Sequence, residues 1–207
     1  MGLLNSLFRA GSARPNEDHG TWLQPYANVL GGRIRQPEHD GEHGFIDGAD
    51  AAISWTLRVL ARKEHDFQSP RACHHLLWHT DSVRMDEIAV VFGNAGDAAG
   101  LWGAVDGGPM MTFVERANPL ALPAALSWHG LALDPQAGLR LFTPDVLARL
   151  DECEAIQDLV GGWMRVWIGG PNVRFEASAV DPAPDSYRHL VDAGVAIART
   201  VSFFMNR

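Results

Sequence analysis

The chain reads as an α+β protein, with an antiparallel sheet, an N-terminal helix and a C-terminal helix–hairpin–helix unit. Three observations predict this. Ile53, Trp55, Leu57 and Val59 alternate with Ser54, Thr56 and Arg58, the period of a half-buried strand. Met164, Val166 and Ile168 alternate with Trp163, Arg165 and Trp167, then Gly169-Gly170-Pro171-Asn172 turns the chain and Val173, Phe175 and Ala177 return it. Thr143-Pro144-Asp145 supplies a capping hydroxyl, a proline whose missing N–H is not needed, and an acid at the positive end of a helix.

Taken in order, residues 1–20 form a flexible, turn-rich lead-in to a single domain over 21–207. Met1 to Phe8 match a myristoylation pattern only formally. Trp22, Tyr26, Val29 and Leu30 recur at near-helical spacing and stop at Gly31-Gly32, a C-cap. Arg33-Ile34-Arg35 begins a strand, and residues 37–44 form a polar loop. Strands follow at Ile53–Val59, at 72–79 and at Ile88–Phe92, joined by loops of about ten residues, as in an antiparallel meander. Residues 93–123 are rich in Gly and Pro, with a strand at Met110 to Val114 and a lobe boundary near 115–130, where Pro119 and Pro123 break the pattern. The helix opened by Thr143 buries Val146, Leu150 and Cys153. The last helix opens near Asp185 and turns Leu190, Gly194, Ile197, Val201 and Phe204 toward the hairpin's Met164, Val166 and Ile168.

In the hairpin, the register places Ile168 opposite Val173, Val166 opposite Phe175 and Met164 opposite Ala177. On the other face Trp167 opposes Arg174 and Arg165 opposes Glu176, a cation–π contact and an ion pair worth about 0.2–1 kcal/mol each.

The net charge of −8 argues against a nucleic-acid partner, because phosphate binding rests on a basic surface. Two cysteines without a CxxC pair are free thiols of a reducing cytoplasm, and no apolar stretch is long enough to span a bilayer. Lys63 is the only lysine among 17 basic residues, a bias expected of a GC-rich bacterial genome.

The densest chemistry is Cys73-His74-His75-Leu76-Leu77-Trp78-His79. On a helix, His75 and His79 would share a face and clasp a metal; on a strand they lie roughly 13 Å apart and cannot share one zinc unaided. The loop Glu38-His39-Asp40-Gly41-Glu42-His43 adds further imidazoles. A metal-dependent hydrolase would draw on His39, His43, His75 and His79 and a divalent metal. Gly93 to Gly100 fits neither GxGxxG nor a P-loop, and no GxSxG elbow is present. With seven tryptophans and no convergent catalytic set, the favoured expectation is a non-enzymatic binding or protein-interaction module without a cofactor. Its surface would be Trp163, Arg165, Trp167 and Arg174, residue types enriched at interfaces, covered in a homodimer.

Overall fold

The computed structural model describes residues 19–36, 44–65, 70–85, 88–94, 109–123, 126, 128–154, 162–170, 172–180 and 183–205. Among the described residues nine strands form one antiparallel sheet: β1 (Arg33–Arg35), β2 (Phe45–Asp50), β3 (Ile53–His65), β4 (Pro70–Thr80), β5 (Ile88–Gly93), β6 (Asn118–Pro119), β7 (His129–Ala132), β8 (Trp163–Gly169) and β9 (Asn172–Val180). Their spatial order is β1-β2-β3-β4-β9-β8-β5-β7-β6. Among the described residues there are five helices: α1 (His19–Leu30), α2 (Pro109–Arg116), α3 (Pro135–Leu139), α4 (Pro144–Glu154) and α5 (Pro184–Met205). The α+β class with helices at both ends is therefore observed.

Several expectations hold in detail. The hairpin has the anticipated register, and Gly169 and Asn172 also pair. Thr143 caps α4, its Oγ1 accepting from the Val146 amide at 3.3 Å, and Val146, Leu150 and Cys153 are buried. Gly31, at φ +66, ends α1 in the left-handed region that glycine enters without steric penalty. The segment 72–79 is strand, as β4.

Four features differ. The hairpin does not pack against a finished meander; it is inserted into it, β9 pairing with β4 and β8 with β5. A strand the sequence did not announce, β2, pairs with both β1 and β3. Residues expected as a strand at Met110 to Val114 are the helix α2, with Pro109 at its first position and only Phe113 buried among its described side chains. Finally, α5 lies over β3, β4 and β9, and its Phe204 is exposed.

The sheet separates two faces. On the inner face Ile46, Leu57, Trp78, Phe175, Val166 and Phe92 line up across six strands, all buried. With α1, α4 and α5 these residues form the main core. On the outer face α2 covers the β5–β8 half, where Phe113, Val91 and Trp167 make a small second core. No helix among the described residues is long and apolar enough to cross a membrane.

Helix α5 approaches the sheet closely at Gly194. A Cβ there would lie 2.7 Å from the fully buried indole of Trp78. At an exposed helix position Gly→Ala would gain about 1 kcal/mol. Here overpacking reverses the sign, and Gly194→Ala is expected to lose about 1–3 kcal/mol. Urea unfolding checks this: a lower midpoint with an unchanged slope is expected, and an unchanged or higher midpoint would refute the close contact.

Candidate functional site

Side chains on the outer face are ordered by strand register into two rows. The first runs Arg33, Asp47, Thr56, His79, Arg174, Trp167, Val91, Leu131. The second runs Arg35, Phe45, Arg58, Leu77, Glu176, Arg165, Gly93, His129. Each row is closed at the β8 end and open at the β1 end, so one face carries two different environments.

The closed environment centres on Arg165, which is only 4% exposed. Its guanidinium carbon lies 4.7 Å from the Trp163 ring centroid and 4.3 Å from that of Trp167. Arg165 donates to Glu176 at 2.9 Å, and the other carboxylate oxygen lies 2.9 Å from Nε2 of His75. The His75 ring meets Trp163 edge to face. Burial raises the Glu176 carboxyl pKa, but hydrogen bonds from His75 and Arg165 and the adjacent guanidinium charge outweigh it. The carboxyl is therefore held below its ordinary value. The contacts described here tie this charge pair to neighbours in the same sheet.

The four residues expected to form an interaction surface do come together, since Arg174 also lies over Trp167 at 5.7 Å. Such a surface requires them to be open to solvent, however. Arg165 and Trp167 are buried within the chain, Trp163 is half-buried, and Arg174 alone is exposed.

Of the histidines expected as metal ligands, His39 and His43 lie outside the described residues. His75 and His79 share the outer face of β4, but His75 is taken up by Glu176. Among the described residues no three His, Cys, Asp or Glu side chains are grouped to hold a metal ion. Burial pushes the Cys153 thiol up, as expected of an inert core cysteine.

The open environment surrounds His79. A groove of about 810 Å³ is lined there by Arg33, Arg35, Asp47, Thr56, His79 and Asp81. The Asp47 carboxylate accepts from Arg35 Nε at 2.8 Å and from Thr56 Oγ1 at 2.7 Å. Its own burial raises its pKa, yet these donors and the Arg35 charge outweigh that and leave it below the usual carboxylate range. For His79, burial is the main effect and lowers its pKa; Asp81 and Asp47 oppose this, while Arg174 and Arg35 reinforce it. The net shift is downward, so at neutral pH the imidazole is uncharged and offers one donor and one acceptor. The Ser82 hydroxyl, which also lines the groove, accepts from the Ser54 amide at 2.9 Å.

Sequence reasoning identified His79 but missed Arg33, Arg35, Asp47, Thr56 and Arg58 as its neighbours. The signal existed in the polar positions of two predicted strands, but only pairing through β2 joins them. No protein-family model, no curated protein and no solved structure matches this chain.

The closed environment gives a stability prediction. Glu176→Gln strands a buried guanidinium without its counter-ion and is expected to cost about 3–5 kcal/mol at pH 7. A carboxyl held below its ordinary pKa stabilises the fold above that ordinary value. The stabilisation is lost as pH falls through the lower folded value. Wild type and variant should therefore converge in acid; urea midpoints at pH 7 and pH 3 separated by the same gap would contradict this account.

Proposed function

We propose that the protein is a non-enzymatic binding module whose recognition surface is the open half of the outer sheet face. One observation carries the reading. The row from Arg33 through Asp47, Thr56 and His79 to Arg174 crosses five adjacent strands beside a groove of about 810 Å³. That volume suits a small organic ligand, and polar groups fixed on strands provide orientation. The groups present favour binding over chemistry. Thr56 is committed to Asp47, Asp47 to Arg35, and among the described residues no hydroxyl or thiol is hydrogen-bonded to His79 as a base would require. The burial of Arg165 and Trp167 favours a small ligand over a protein docking on the hairpin. The alternative of a metal-dependent hydrolase needs His39 and His43 to reach His79, and nothing in the described residues supports that convergence.

A ligand that binds only the folded state raises its apparent stability, by about 2.7 kcal/mol at a hundredfold excess over Kd. Thermal unfolding is to be followed with succinate, inorganic phosphate, glucose and putrescine, one at a time. At least one is expected to raise the wild-type midpoint by several degrees and to lose most of that effect in the double variant Thr56→Val/His79→Ala. A shift of equal size in that variant would contradict the reading, and so would no shift with any of the four.

A further inference from the structure

His79 lines the groove, and Arg58 and Arg174 flank it on the same face, where their only described partners are the rings of Phe45 at 5.9 Å and Trp167 at 5.7 Å. Arg58 and Arg174 have no carboxylate within ion-pair distance among the described residues, although the chain as a whole carries a net charge of −8. Nε of Arg58 is buried and has no hydrogen-bond partner. Buried donors are nearly always satisfied, so such an orphan calls for an explanation, although Nδ1 of His75 and Nε1 of Trp78 share this state. Neither ring nitrogen of His79 is hydrogen-bonded within the described residues.

Register brings the three together. His79 is directly opposite Arg174, and Arg58 is opposite Leu77, the outer-face residue two before His79. Arg58 and His79 are thus diagonal neighbours, about 7–8 Å apart at the backbone, a gap that a guanidinium side chain spans. Of the described acids nearby, two are committed to other partners, and Asp81 is the one whose charge bears most on His79. Glu176 is held by Arg165 and His75, and Asp47 by Arg35 and Thr56. Asp81 lies just past the end of β4, two residues beyond His79 and on the opposite side from Arg58, where it accepts from Asn172 Nδ2 at 3.4 Å.

We infer that Arg58, His79 and Arg174 bind the carboxylate or phosphate group of a small polar organic anion whose remaining atoms lie along the groove toward Asp81. This rests on the binding-module reading and names the ligand class for the same face. Guanidinium groups suit planar or tetrahedral oxyanions because they present paired donors. The imidazole of His79 supplies an uncharged N–H between them. Asp81 gives the site direction: it repels an anionic group at its own end and accepts from a hydroxyl or amine there.

Calorimetry at low ionic strength with succinate and with glycerol 3-phosphate tests this, glycerol serving as the neutral control. At least one of the two anions is expected to bind saturably, the better one identifying the source of the oxyanion, and glycerol not at all. Arg174→Ala, an exposed position where the fold has little at stake, should weaken binding at least tenfold. Arg58→Ala should do the same, with Arg58→Lys recovering part of the affinity, while Arg140→Ala leaves binding unchanged. Because an anion beside the ring favours its charged form, the His79 carbon-bound proton resonances should titrate at higher pH in the complex. Affinity should accordingly rise from pH 8 to pH 6. Failure of both anions to bind, or equal binding by wild type and Arg174→Ala, overturns the inference. If glucose or putrescine instead stabilises the protein through Thr56 and His79, the binding-module reading stands and the anion assignment alone falls.

Discussion

The register of the β8–β9 hairpin is the constraint on which the rest of the structure depends. Strand side chains alternate with period two, so a slip of one residue would send Met164, Val166 and Ile168 to the outer face and Arg165 into the core. The observed pairing of Val166 with Phe175 and of Arg165 with Glu176 excludes that slip from both sides. The hairpin also lies at the centre of nine strands, with β4 on one flank and β5 on the other. Its register is therefore transmitted outward. On one flank it fixes Trp78 under α5 and His79 on the opposite face; on the other it fixes Phe92 inward and Val91 under α2.

The outer face is divided by the physics of its two arginine environments. Arg165 is desolvated, and an isolated buried guanidinium would be very costly. Two indole faces and one carboxylate compensate it, and that carboxylate is itself anchored by His75. Arg58 and Arg174 have no comparable set of partners within the described residues. The same residue type, on the same face of one sheet, is buried among partners at β8 and exposed at β9. The difference lies in what surrounds each side chain.

Local chemistry made much of the fold legible. The Thr-Pro-Asp cap, the glycine stop after α1 and the cross-strand pairs of the hairpin each depend on residues close in sequence, and each is where it was expected. Strand order was not legible. β4 and β5 follow one another in sequence, yet β8 and β9 separate them, and nothing local to residues 70–93 records an insertion from residues 163–180. β2 was missed because Gly48, Asp47 and Asp50 weaken its strand pattern and its turn into β3 is built on Ala51, at φ +53, where asparagine or glycine would have signalled a hairpin. The short apolar run at Met110 to Val114 has no decisive period, and Pro109 was the cue for a helix. The candidate site was legible only as isolated residues. His79 was visible inside its cluster, but its neighbours come from β1, β2, β3 and β9 and meet only through pairing across the sheet.

The central claim is that one sheet face holds a closed arginine at β8 and an open one beside it at β9. Modification of the native protein with phenylglyoxal, followed residue by residue by mass spectrometry, tests it most directly. The account predicts that Arg174 reacts quickly and Arg165 only after unfolding. Equal rates at Arg165 and Arg174 in the folded protein would contradict it.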